Sequence, residues 1–167
     1  MSTLDDLPWQ QPVPMVQYPG MLAQDRIVWT AMLSEFPTLF ARVAYNVHVG
    51  TSSLDAPGQT PMEIAIAQGV GRKRIDVVAH TGPAIWVIEV KPYGNHTALG
   101  QVQLYADLFE REYKLALPVE PVLIVASHDP DLMPLADRLR IRVMDVEVPE
   151  YEQIIPPAPG PFTPSQR

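Results

Sequence analysis

Asp76, Glu89 and Lys91 are the residues of this chain whose types and spacing could do chemistry. Asp76 stands inside the hydrophobic segment Arg74-Ile75-Asp76-Val77-Val78-Ala79, and Glu89 and Lys91 stand inside a second run, Ala84-Ile85-Trp86-Val87-Ile88-Glu89-Val90-Lys91. Charge set into apolar, β-prone sequence is costly unless it is paired or coordinates something. Between the runs lies a four-residue turn, His80-Thr81-Gly82-Pro83, so the segments predict an antiparallel hairpin in which Ala79 pairs with Ala84. That register sets Asp76 opposite Val87, and period-two alternation puts Val87, Glu89 and Lys91 on one face with it. Glu89 is then its diagonal neighbour, with Cα atoms about 7–8 Å apart. Two carboxylates at that reach can share one divalent cation beside an ammonium, a device for activating water against a phosphodiester. The competing use of the same residues is a salt-bridged cluster on a half-exposed sheet face, which contributes little. The flanking Ile85, Val87, Ile88 and Val90 favour a desolvated site, of the kind that perturbs pKa values and holds metals.

Asp76, twelve intervening residues and then Glu89-Val90-Lys91 resembles the pattern of the PD-(D/E)XK nuclease superfamily. Gln101-Val102-Gln103-Leu104-Tyr105 adds a Q-x-x-x-Y that resembles the lambda exonuclease and RecB-type branch. The resemblance covers residues 21 to 146, and Ile75 stands where the family name has proline. It implies an α/β fold, a restriction-endonuclease-like mixed β-sheet flanked by helices with an αβββαβ core. It also implies a deoxyribonuclease dependent on Mg²⁺ or Mn²⁺. In that reading Asp76 and Glu89 bind the metal with the Val90 carbonyl as a third ligand. Lys91 orients the water and stabilises developing charge, while Gln101 and Tyr105 position Lys91 or the phosphate. An acid of the first helix, Asp25 or Glu35, joins the site. Without the resemblance, Asp25 and Glu35 read as solvent-facing helix charges, Gln101 as a surface amide and Tyr105 as a core aromatic.

The elements that must position these groups follow from the pattern. Residues 1–20 hold four of the 19 prolines and predict an extended arm, with Trp9 and Tyr18 as anchors on this domain or on a neighbouring subunit. From Met21 to Phe36 the positions Leu22, Ile27, Val28, Ala31, Met32 and Phe36 have helical spacing, closed by Pro37. Leu39 to Val49 is β-prone, a first strand at the sheet edge or second in. A loop from Gly50 to Gln59 leads to residues 61–69, either a short helix opened by Thr60 and Pro61 or a strand; as a helix it could bring Glu63 towards the metal. After the hairpin comes a loop over residues 92–96 that leaves His96 in solvent or on a phosphate. Thr97 then caps an amphipathic helix through about Leu115, with Gln101 and Tyr105 on one side of it. Pro121 to Ala126 reads as a strand buried on both faces, Asp131 to Leu139 as a short helix and Arg140 to Val148 as a last strand. The nuclease-like domain thus spans residues 21–148. The proline-rich tail 149–167, with six prolines, is expected to extend and dock elsewhere.

Composition bounds the function. A chain of 167 residues, 47% hydrophobic and 19% charged, fits one soluble globular domain. The absence of cysteine excludes disulfides and thiolate metal sites, and the scattered His48, His80, His96 and His128 lack zinc spacing. There is no P-loop, nucleophile elbow or dinucleotide fingerprint. No apolar run reaches the roughly 18 residues of a membrane span, and the first residues do not read as a signal peptide, so a cytoplasmic or virion setting is expected. Net charge is −7, unusual for a protein that meets DNA alone. Either Arg72, Lys73 and Arg74 supply a local basic patch that tracks the backbone without reading sequence, or a partner carries the chain to nucleic acid. The acidic balance and the two proline-rich ends also suit a phage neck or head-completion component. In that case a nuclease-like fold would serve as a docking module between neighbouring subunits.

Overall fold

The computed structural model describes residues 2–152, and the expectation for the tail from residue 153 onward lies outside the described residues. In chain order the elements are β1 (Ser2–Thr3), α1 (Ala23–Glu35), β2 (Arg42–Val49), α2 (Pro61–Gly71), β3 (Lys73–His80), β4 (Ile85–Gly94), α3 (His96–Glu112), β5 (Tyr113–Lys114), β6 (Val119–His128), α4 (Leu132–Leu139), β7 (Arg142–Asp145) and α5 (Pro149–Glu152). Five strands form one mixed sheet in the order β2-β3-β4-β6-β7. Its first three strands are antiparallel, and β4, β6 and β7 run parallel. The first strand of the expected core therefore takes the edge.

The sheet is covered on both faces. Val28, Trp29, Met32 and Leu33 of α1 pack on Val43, Tyr45, Val77, Trp86, Ile88, Val90, Val122 and Ile124. Ala106 and Phe109 of α3 pack on the opposite side with Ala44, Val78, Ile85 and Val87. The start of α3, Ala98, Leu99 and Val102, joins Leu123, Val125 and the α4 residues Leu132 and Ala136 in a third cluster. Burial of these β-branched and aromatic side chains on both faces is the main force for the fold. Inside it Trp29 Nε1 donates to Tyr45 Oη at 3.1 Å, which satisfies a buried indole.

Residues 2–20 lie on this domain. Ser2 and Thr3 pair with Tyr113 and Lys114, Leu4–Asp6 forms a 3-10 turn, and Gln10 exchanges backbone hydrogen bonds with Val43 of the edge strand at 2.7 and 2.9 Å. Leu7 is buried in the α3-side cluster and Tyr18 in the α1-side cluster. The segment thus passes around β2 and covers an edge that would otherwise template another chain. Of the two anchors, Tyr18 is fully buried, with its hydroxyl 2.9 Å from Thr30 Oγ1, and the Trp9 ring carries the Arg42 guanidinium at 4.4 Å.

Several boundaries differ from expectation. The hairpin pairs His80 with Ile85 and Ala79 with Trp86, so the turn is Thr81 to Ala84, one residue later than predicted. Strand β4 runs through the expected loop as far as Gly94, because it stays paired with β6 up to His128. The cap of α3 is Asn95, whose side chain accepts from Ala98 N–H at 3.1 Å, in place of Thr97. Residues 61–71 are helical, and Glu63 is held in a capping box: its carboxylate accepts from Thr60 N–H at 2.8 Å.

Beside the edge strand, Gly20 has φ +72°, and a Cβ there would come within 2.4 Å of Asn46 Oδ1; Asn46 itself is left-handed at φ 54°. Gly20→Ala is expected to cost about 1–2 kcal/mol in urea unfolding, through both strain and overlap. Adding Asn46→Gly, which removes the obstructing side chain, should recover part of that loss; strictly additive effects in the double variant would contradict the contact.

Candidate active site

Asp76 sits where two ladders are interrupted. The β2–β3 ladder pairs Tyr45 with Val77 and Val47 with Ile75, leaving out Asn46 and Asp76 between them. Tyr45 and Val77 pack on the α1 side and Val47 and Ile75 on the α3 side, so the alternation of both strands breaks at this point. The β3–β4 ladder ends at Val77 and Ile88. Beyond it Asp76 Oδ2 accepts the backbone N–H of Val90 at 3.0 Å, so a side chain takes up a strand donor where the backbone pairing has stopped.

Four elements converge on this gap. Lys91 Nζ of β4 lies 2.8 Å from Glu89 Oε1, 3.9 Å from Asp25 Oδ2 of α1 and 4.0 Å from Asp76 Oδ2. Tyr105 and Gln101 of α3 stand one helical turn apart and line the same cleft, of about 360 Å³. Pro19, Gly20, Leu22, Asn46, Val70, Arg72, Lys73 and Arg74 complete its wall. Asp25 and Glu89 are each only 2% exposed.

The first-helix acid is Asp25. It lies on the same helical arc as Val28, Trp29, Met32 and Leu33, whereas Glu35 is exposed at the last turn. Glu63 is committed to its cap, and His96 is exposed as the first residue of α3. Val90 is fully buried and meets the site through its N–H. Within the basic run, Arg72 is turned inward, donating to the Gly50 carbonyl at 2.7 Å and pairing with Glu112, while Lys73 and Arg74 are exposed. Sequence reading missed the wall residues Gly20, Leu22, Asn46 and Val70, which have no chemical signature of their own.

Burial dominates the electrostatics. It pushes the Asp25 carboxyl up to about 6 against the opposing pull of Lys91. It also pushes Glu89 up to about 7, helped by the neighbouring Asp76 charge. Asp76 is raised as well, burial outweighing the Val90 N–H and Lys91. For Lys91, burial works to lower the pKa, but Glu89, Asp76 and Asp25 more than offset it, so the group is held firmly as an ammonium. Tyr105 is raised by burial and by Glu89 and stays a neutral phenol.

Asp25 Oδ1 and Glu89 Oε2 are buried without a hydrogen-bond partner. Orphaned carboxylate oxygens of this kind carry a full desolvation cost, and hard oxygen donors are what Mg²⁺ and Mn²⁺ take. The donor set therefore fits such an ion. Among the described residues, no three His, Cys, Asp or Glu side chains are drawn together closely enough to enclose a metal as they stand. The ammonium of Lys91 occupies the middle of the three carboxylates.

No family model, curated protein or solved structure matches the chain. Among the described residues no helix is long and apolar enough to cross a membrane.

Glu89 loses its proton near its ordinary 4.5 when unfolded and near about 7 when folded. Between those values the folded chain holds more protons, so its stability falls as pH rises through the window; Asp25 adds the same sign between 3.8 and about 6. In chelator-containing buffer, Glu89→Gln should raise the melting temperature at pH 8 by roughly 3–6 °C and leave it nearly unchanged at pH 4.5. An equal shift at both pH values would remove the titration of Glu89 as the cause.

Proposed function

We propose that the chain is a metal-dependent nuclease that hydrolyses phosphodiester bonds of DNA. The observation that carries this reading is the convergence of three carboxylates from three separate elements on one ammonium, with two of their buried oxygens unpartnered. The succession α1-β2-β3-β4-α3-β6 follows the αβββαβ order of a restriction-endonuclease-like core, with α2 inserted after its first strand. Asp25, Asp76 and Glu89 would hold Mg²⁺ or Mn²⁺, with the Val90 carbonyl offered by the resemblance as a further ligand. When bound, the ion would lower the pKa of a coordinated water and polarise a phosphoryl oxygen.

The remaining chemistry belongs to the chain. Lys91, kept protonated by its acidic neighbours, donates to the attacking oxygen or to a non-bridging phosphate oxygen and stabilises charge as it develops. Tyr105 is kept neutral and faces the cleft beside Gln101, so it can donate its hydroxyl to the same phosphate. Lys73 and Arg74, exposed on the cleft wall, follow the adjoining backbone. A second reading, a virion docking module, draws on the net charge of −7 and on the engagement of Arg72 with Glu112, which thin the basic patch.

The two readings part in a cleavage assay on linear and circular DNA with Mg²⁺ or Mn²⁺. Lys91→Ala and Asp76→Ala should each lower the rate by about 10²-fold or more, chelator should abolish it, and Glu35→Ala should leave it unchanged. Absence of cleavage by the unaltered chain on every substrate would sink the nuclease reading.

A further inference from the structure

Helix α2 presents apolar side chains to water. Met62, Ile66 and Val70 recur every fourth residue and are 74%, 57% and 70% exposed. Only Ala67 of this helix is buried. The helix is held in place mainly by polar links to the preceding loop: Ser52 Oγ donates to the Ala67 carbonyl at 2.7 Å, and the Gln68 amide donates to the Asp55 carboxylate at 3.0 Å. Its one charged side chain, Glu63, serves the cap. A solvent-facing helix ordinarily turns charge outward, and a row of large apolar groups in its place marks an interaction surface. Alongside the row run the small residues Ala65 and Gly69, and a Cβ at Gly69 would meet nothing within 4 Å, so no contact inside the chain calls for glycine there.

We propose that α2 pairs with α2 of a second copy, antiparallel about a two-fold axis near Ile66. The Met62–Ile66–Val70 ridge of each copy lies in the groove beside Ala65 and Gly69 of the other. Charge selects this occupant and this direction. The helix carries no Lys or Arg, so it offers nothing to a phosphate backbone. Glu63 stands at its start, and the exposed Lys73 and Arg74 stand just beyond its end. An antiparallel pair brings the acidic start of one copy to the basic end of the other, whereas a parallel pair sets like against like. Val70 also lines the cleft that holds Asp76, Glu89 and Lys91, so the pairing seats the two clefts at opposite ends of the joined helices. Met62 to Val70 spans about 12 Å of helix. The pairing is independent of any hydrolytic activity.

Sedimentation equilibrium on the full chain across micromolar concentrations tests it. The mass should rise towards two chains. Ile66→Glu should weaken association by at least about tenfold while leaving the thermal melt intact, since the position is exposed. The chain contains no cysteine, so single thiols report geometry without background. Under oxidation Ile66→Cys should cross-link to itself, and Met62→Cys should cross-link to Val70→Cys when the two are mixed. A single-chain mass at every concentration, a dimer indifferent to Ile66→Glu, or self-cross-linking of Met62→Cys would each overturn the proposal. A monomer whose DNA binding is lost in Ile66→Glu would also overturn it and assign the face to nucleic acid.

Discussion

The parting of β3 from β4 after Val77 and Ile88 is the constraint on which the site depends. Had the ladder continued, Asp76 and Glu89 would have stood directly opposite one another, and the Val90 N–H would have gone to the Ile75 carbonyl. Instead the Asp76 carboxylate takes the Val90 N–H, and the space between the strands admits Asp25 from the α1 side and Tyr105 from the α3 side. A sheet ordinarily insulates its two faces from one another. Here a break in pairing lets side chains from helices on opposite faces reach the same few ångströms.

That convergence leaves the site electrostatically unresolved. Three carboxylates face one ammonium, and all three are raised in pKa, by burial first. Lys91 lies within 4.0 Å of each, yet Asp25 Oδ1 and Glu89 Oε2 remain without a partner. A fold tolerates this only because large clusters on both faces of the sheet hold the strands in place. An ion that bound the folded chain and not the unfolded one would both satisfy those oxygens and stabilise the fold by mass action. Stability and cation affinity would then be two expressions of one local charge imbalance.

The sequence carried the sheet, the helices and the identity of the central triad, because apolar runs and turn residues are local signals. It misplaced the hairpin by one residue on each strand, a shift that preserves parity and so left Glu89 and Lys91 on the expected side. What alternation could not foresee is the break at Asn46 and Asp76, which depends on a left-handed residue in a neighbouring strand. Asp25 was legible in principle. The spacing read on Leu22, Ile27, Val28, Ala31, Met32 and Phe36 is drawn away from Asp25 by Ile27 and Ala31, whereas Trp29 and Leu33 together with Val28 and Met32 centre the buried arc on it. The inward turn of Arg72 needed Glu112, forty residues away, and nothing local announces that pairing.

The withdrawal of Arg72 bears on how an acidic chain could meet DNA at all. Each phosphate neutralised contributes to affinity through counterion release, with a salt slope of about −0.9 per contact on duplex DNA. With Lys73 and Arg74 as the exposed cations of the run, one copy offers a short row of contacts set against a net charge of −7. Capture by a single chain would therefore be weak, with only a shallow dependence on salt. Two copies joined through α2 would link two binding events, raising the effective concentration of the second cleft without a new contact to the nucleic acid. Pairing through the apolar ridge of α2 would in that way offset part of what the charge balance withholds.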